Sequence, residues 1–272
     1  STVKQAGGAG LRLPAQRIEV VAISLCLAIA TFLGAARPLQ AIGPCLDQFQ
    51  VPRFNGAETG SPAYGAKGTI IDRPVFLCAN QTADTSFGSA WVMIHSNSQV
   101  SNEYAQIGYA KFSGMGSTVA FYEYNDGTDI SPGFDRGFFP GFTSGVPHAY
   151  KVEYNFSTGK IGMSYDGATK AVTPWSPDNS WSSGRVASFF GETHDRGDDM
   201  PGTPGAIALF DSLMAKTCRS CSYANAVINS QIHDQPQIYK WNWITGTEMS
   251  TFRYGRKDRW GCCELFKSQS GQ

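Results

Sequence analysis

The chain has 272 residues, 22 Lys and Arg against 22 Asp and Glu, a formal net charge of zero, and only 16% charged residues. With no basic stripe, nucleic acid is not the expected partner. Thirty Gly and 17 Phe suit a turn-rich, aromatic-cored β-protein rather than a helical one.

The first element is an apolar segment, Val20 to Ala36, without a charged residue. Lys4, Arg12 and Arg17 precede it and Arg37 closes it, which favours a cytoplasmic amino side. Its length lies between a signal-peptide core and a spanning helix. Gly34-Ala35-Ala36 and Leu39-Gln40-Ala41 offer small residues for cleavage. Residues 1–41 therefore read as a signal peptide or an N-terminal membrane anchor, with membrane contact through 20–36 if the segment is retained. Either way the rest of the chain is expected outside the cytosol, secreted or anchored.

After Cys45 the sequence reads as a Pro/Gly-rich lead-in, Pro52 to Lys67, followed by strands. Thr69–Cys78, Ala90–His95, Tyr104–Phe112 and Val119–Tyr124 come first. In Ala90–His95, Trp91, Met93 and His95 alternate against Val92 and Ile94. His148, Tyr150, Val152, Tyr154 and Phe156 fall on one face of the next run, the period-two mark of a half-buried antiparallel strand. Ser157-Thr158-Gly159-Lys160 and Asp166-Gly167 predict tight turns into Ile161–Tyr165 and Thr169–Thr173. Arg185–Glu192 and Ala206–Lys216 complete the set. No helix of three turns is expected after residue 45. The fold class is all-β, an antiparallel concanavalin-like or jelly-roll sandwich over residues 42–221. Residues 222–272 read as a disulfide-stapled extension, with Gln237–Trp243 a strand that Thr251–Lys257 can pair.

Seven cysteines are present. Cys26 lies in the apolar segment, leaving Cys45, Cys78, Cys218, Cys221, Cys262 and Cys263. An even number in an exported domain predicts bridges. The expected pairing joins Cys45 to Cys78, and Cys218 and Cys221 to Cys262 and Cys263. A four-thiolate zinc site is the rival, disfavoured by an oxidising compartment.

Ser89 to Leu213 resembles a group of secreted, largely actinobacterial proteins of unassigned function. Ser89-Ala90-Trp91-Val92-Met93, Tyr104-Ala105-Gln106-Ile107-Gly108-Tyr109, Tyr150-Lys151-Val152, Ser157-Thr158-Gly159-Lys160, Gly191-Glu192-Thr193 and Gly197-Asp198-Asp199-Met200-Pro201-Gly202-Thr203 carry the resemblance. It implies export and a concanavalin-like sandwich, and no activity.

Two clusters carry candidate chemistry. Trp175 and Trp181 flank Asp178 and Asn179 in a Pro-constrained loop, an arrangement that suits a sugar: rings stack on C–H faces and polar groups take hydroxyls. Plugging of the core is the structural alternative. Glu192, Asp195, Asp198 and Asp199 could hold a structural Ca²⁺, supply an acid/base pair, or form a solvated loop held by Asp caps. Asn125-Asp126-Gly127-Thr128-Asp129 reads as a hairpin turn. His95 and His148 fall on strands and read as core or sheet-face residues. No E-x-D-x-x-E pattern or G-x-S-x-G elbow occurs. The leading functional reading is a non-catalytic extracytoplasmic sandwich that binds a glycan or a protein partner at the cell surface. A membrane-anchored accessory subunit and a concanavalin-like glycoside hydrolase are the alternatives.

Overall fold

The computed structural model describes residues 52–60, 62–73, 75, 77, 86–96, 102–177, 185–193, 198, 200–203, 206–234, 239–243 and 252–256. The apolar segment, Cys45, Cys78, Cys262 and Cys263 lie outside them. The described elements are all strands.

The first sheet is built from β1 (Arg53–Thr59), β3 (Phe87–Ser96), β4 (Glu103–Phe112), β5 (Val119–Asp126), β6 (Phe134–Phe139), β10 (Arg185–Thr193) and β14 (Ile228–His233), in the order β14-β1-β10-β3-β4-β5-β6. The second runs β15 (Tyr239–Trp243), β16 (Phe252–Arg256), β12 (Ala206–Lys216), β2 (Gly65–Ile71), β7 (Pro147–Asn155), β8 (Lys160–Tyr165), β9 (Ala168–Val172). The two-residue strands β11 (Gly202–Thr203) and β13 (Ala224–Asn225) pair with β12. All the ladders are antiparallel. The protein is thus an antiparallel two-sheet β-sandwich.

Alternation sorts the side chains between the sheets and the outside. Val92, Ile94, Ile107, Tyr109 and Phe189 of the first sheet meet Ile70, Tyr150, Val152, Ile161, Met163 and Phe210 of the second in one buried core. The opposite face of the first sheet carries its own aromatic layer of Phe87, Trp91, Phe112, Phe121 and Phe190. That layer floors the candidate site.

Three departures from the sequence reading have local causes. β1 occupies what reads as an irregular lead-in. Its Gly56 sits so close to β10 that a Cβ there would lie 2.1 Å from the Phe189 carbonyl oxygen. β6 carries no alternation in sequence: its mixed FDRGFF pattern hides a strand whose Gly137 lies under the Tyr122 ring. β2 ends at Ile71 rather than Cys78, because buried Asp72 turns away to accept hydrogen bonds from Ser144 Oγ and Gly145 N.

The turns follow the sequence. Asn125 Oδ1 accepts from Gly127 N at 2.8 Å and Asp129 N at 3.3 Å in the β5–β6 hairpin. Asp166 and Gly167 both take positive φ, 47° and 81°, in the β8–β9 turn, as a two-residue hairpin loop requires. The cysteine pairing needs correction. Cys218 is bridged to Cys221, with Cα atoms 5.0 Å apart, instead of both reaching to the chain's end. The bridge closes the turn between β12 and β13, so it does not staple the tail. After Cys221 the chain instead contributes strands to both sheets: β14 beside β1, and β16 beside β12 with β15 outside it. The Trp241↔Tyr254 register of β15 and β16 matches the expected pairing.

Candidate functional site

The site lies on the open face of the first sheet. The register there sets residues in rows across the strands. Glu58, Ser188, Met93, Gln106, Glu123 and Arg136 form one row from β1 to β6. Gly56, Phe190, Trp91, Gly108, Phe121 and Phe138 form the next. Two glycines in an otherwise aromatic row leave room for the bulky neighbours. A Cβ on Gly108 would lie 2.0 Å from the Ala90 carbonyl oxygen and 2.7 Å from Trp91 Cα.

A groove of about 340 Å³ runs over this face. Phe54, Trp91, Phe121 and Phe134 contribute to its apolar floor, and Gln106, Glu123, Arg136 and Glu192 to its polar wall. Phe54 meets Trp91 edge-on at 6.3 Å, and Trp91 lies 5.3 Å from Phe190. These contacts lock the floor.

Glu123 organises one end of the wall. Its carboxylate accepts hydrogen bonds from Tyr104 Oη, from Gln106 Nε2 at 3.1 Å and from Arg136 Nε. The Glu123 side chain is only 7% exposed, so the ion pair is well shielded. Burial, followed by the Glu123 charge, pushes the Tyr104 hydroxyl far above its ordinary pKa, so it remains a donor. At the other end Trp91 Nε1 donates to Glu192 Oε2 at 2.8 Å.

A second polar cluster continues the row toward β14. His95 Nδ1 lies 2.7 Å from the Ser96 carbonyl oxygen, an acceptor, so this nitrogen carries a hydrogen. Its Nε2 lies 2.9 Å from Ser188 Oγ and 3.2 Å from Glu58 Oε1. Ser188 and Ser230 hydroxyls donate to Glu58, each at 3.1 Å. Burial raises the Glu58 pKa, and the His95 hydrogen bond and charge, with the Ser230 and Ser188 hydroxyls, more than reverse this. The net shift is downward. In the second sheet, buried His148 contacts Asp166 at 2.7 Å and the Tyr165 hydroxyl at 2.8 Å through Nδ1, and the Thr143 carbonyl at 2.9 Å through Nε2. Both histidines thus stand on strands, His95 half-buried in β3 and His148 buried in β7.

Of the sugar-platform residues, Trp175 is described. It packs on the main core, meets Tyr124 edge-on at 6.4 Å and donates its indole N–H to the Gly133 carbonyl at 3.0 Å. Asp178, Asn179 and Trp181 lie outside the described residues. Of the acidic set, Glu192 faces the groove, while Asp198 is fully buried and accepts from Ser86 Oγ at 2.9 Å. Asp195 and Asp199 lie outside the described residues. Among the described residues no three His, Cys, Asp or Glu side chains converge as metal ligands would.

Sequence reasoning passed over Gln106, Glu123, Arg136 and Tyr104. The available signal was phase. Trp91 and Met93 point away from the Val92–Ile94 core face, and Gln106 and Glu123 share that outward phase on the next two strands.

No family model matches this chain, and no curated protein does. Solved structures resemble it. SCP-B, a member of the Eqolisin family of peptidases solved with the tripeptide Ala-Ile-His, shares 15% identity over 74% of this chain and 96% of its own, with a TM-score of 0.46. An alginate lyase from Pseudomonas aeruginosa shares 14% over 60% of this chain and 66% of its own, at a TM-score of 0.38. A family 16 glycoside hydrolase endo-glucanase from Bacteroides ovatus shares 13% over 50% of this chain and 58% of its own, at 0.28. Likenesses at this level carry no argument about this chain's chemistry.

Proposed function

We propose that the protein is a carbohydrate-binding β-sandwich working outside the cytosol, with the glycan lying in the groove on the open face of the first sheet. The observation that carries this reading is the Glu123 network beside the aromatic floor. Planar carboxylate, amide and guanidinium groups held in fixed orientation match pairs of sugar hydroxyls. Rings beneath them match the C–H faces of the sugar. The groove is formed before any ligand arrives, so little ordering entropy opposes binding.

Binding rather than hydrolysis fits the wall. Both Glu123 oxygens are already engaged by Tyr104, Gln106 and Arg136. Glu123 therefore acts as a positioning group, not as one half of an acid–base pair. Trp175, half-buried against the core and lining a separate hollow with Asp126, Thr128 and Pro132, stands apart from this groove.

The test is a glycan array with the full chain and with Arg136→Met. Binding by the wild type, lost or weakened at least about tenfold in the variant, supports the reading. An array on which nothing binds, or a hit unchanged by Arg136→Met, overturns it.

A further inference from the structure

The outer face of the second sheet carries a hollow of about 310 Å³, separate from the groove on the first. Alternation builds it. On β2, half-buried Lys67 and Thr69 point outward while Ala66 and Ile70 enter the core. On β7, Ala149 and Lys151 point outward beside core residues Tyr150 and Val152. The ladder sets Lys67 directly across from Lys151, and Thr69 across from Ala149. Thr69 and Ala149 are small, so the sheet between the rims stays low. One rim comes from β12, where the register with β2 shifts between Asp211 and Met214 and brings Ser212, at φ 53°, to the hollow. The other comes from the β8–β9 turn at Gly167.

The charge of this lining is one-sided: it holds Lys67 and Lys151 and no carboxylate. Like charges directly opposite across a ladder destabilise a sheet. The nearby acids do not cancel the pair. Glu153 takes Lys151 at 3.0 Å and Lys216 at 2.9 Å, so one negative charge serves two positive ones. Lys67 meets no carboxylate among the described residues, and its ammonium lies 4.9 Å from the centre of the Tyr223 ring. Asp211 turns back to accept from the Ser212 amide at 2.7 Å. Asp166 is engaged by His148 and by the Ala149 amide at 2.8 Å. Hydroxyls of Thr69, Ser164 and Ser212 complete the polar lining. Ligand pockets run from about 300 to 1,000 Å³, so this volume suits one small molecule rather than a polymer.

We propose that the hollow is a second binding site, for a small polyhydroxylated acid. Its anionic group lies between Lys67 and Lys151, and its hydroxyls meet Thr69 and Ser212. An anion there gives both ammonium groups charge-assisted hydrogen bonds and relieves their mutual repulsion.

Titration calorimetry on the full chain at low salt tests this with three probes: glucuronate, glucose and inorganic sulfate. Glucuronate is expected to bind one site per chain, at least about tenfold tighter than either of the others. Lys67→Met and Lys151→Met keep most of each side-chain stem and remove its charge. Each should weaken glucuronate at least about tenfold. Lys160→Met makes the same change on the same sheet but outside the lining, and should leave binding as it was. No glucuronate binding, or binding that survives both lining variants, overturns the site. So does an equal loss in Lys160→Met, which would be a general effect of charge. Glucose bound as tightly as glucuronate overturns the role of the two lysines. Sulfate bound as tightly overturns the hydroxylated body and leaves a site for a bare anion. None of these outcomes bears on the groove, whose own test is the glycan array with Arg136→Met.

Discussion

Trp91 Nε1 donates to Glu192 Oε2 at 2.8 Å, joining the centre of β3 to the end of β10 across the open face of the sheet. Trp91 is 2% exposed, so its indole N–H has been taken out of water and depends on this acceptor. Trp91→Phe removes the donor and part of the floor at once, and should destabilise the fold by about 2–4 kcal/mol. Glu192→Gln should cost less, about 1 kcal/mol, because an amide oxygen can still accept. Urea denaturation of both single variants and the double variant yields the coupling. A value near zero would mean the hydrogen bond contributes nothing.

The Glu123 network invites a different comparison. Glu123→Ala leaves Arg136, Tyr104 and Gln106 without their shared acceptor in a shielded site. A loss of about 3–5 kcal/mol is expected. Removing both charges together, as Glu123→Met with Arg136→Met, should recover much of that loss, since no uncompensated charge remains. Binding should be lost in both. The measurement is a pair of denaturation curves beside one glycan titration.

How far the sequence leads is clearest on these same strands. Period two sets Trp91 and Met93 on the face opposite Val92 and Ile94, and β3 obeys it. The strand from His148 onward obeys it too, with Tyr150 and Val152 buried between exposed or half-exposed neighbours. β1 and β6 escaped notice because a glycine stands where the sheet admits no side chain, at Gly56 beneath β10 and at Gly137 beneath Tyr122. A packing requirement of that kind exists only once a neighbour is known. Glu192 was singled out from its own segment, but in an acidic loop rather than beside an indole 101 residues away. Gln106, Glu123 and Arg136 became a site only through the β4–β5–β6 register, which no single strand encodes. The Cys218–Cys221 bridge was missed for a related reason. Spacing permits several connectivities, and only the tight turn after β12 selects one.

The Glu58 cluster sets a pH dependence. The Glu58 carboxyl is held below the ordinary carboxylate value, despite burial, by His95, Ser230 and Ser188. A carboxyl lowered in the folded state stabilises the fold above its unfolded pKa, and that stabilisation is lost as pH falls through the folded value. Stability should therefore decline below about pH 4.5, and Glu58→Gln should flatten that part of the curve. Denaturation midpoints from neutral to acid pH check it. Parallel curves for the two proteins would show that Glu58 gains nothing from its partners.

Gly108 offers a test of the floor that does not touch charge. It lies opposite Trp91, and a Cβ there would meet backbone: Ala90 O at 2.0 Å and Trp91 Cα at 2.7 Å. Flexible side chains cannot absorb a clash of that kind, so β3 and β4 must separate. Gly108→Ala should lose about 2 kcal/mol or more. Gly114, at φ +82° with nothing within 4 Å, is the control. There alanine meets only backbone strain, at about 1 kcal/mol. Thermal melts of the two variants should separate them, and equal losses would mean that close approach at Trp91 is not what the glycine serves.

The bridge between Cys218 and Cys221 closes a loop of sequence separation 3. Cross-linking so short a loop removes little freedom from the unfolded chain, so the double Cys→Ser variant should lose only about 1–2 kcal/mol. The geometry localises the effect further. The bridge spans the turn from β12 to β13, whereas β12 is held independently by its ladders with β2 and β16. Reduction should therefore loosen the turn around Arg219 and Ser220 and leave the two sheets intact. Hydrogen exchange on reduced and oxidised protein reads this directly. Faster exchange confined to residues near 217–226 is the expected result. Faster exchange throughout β12 and β2 would show the bridge to be a clasp on the sheet itself.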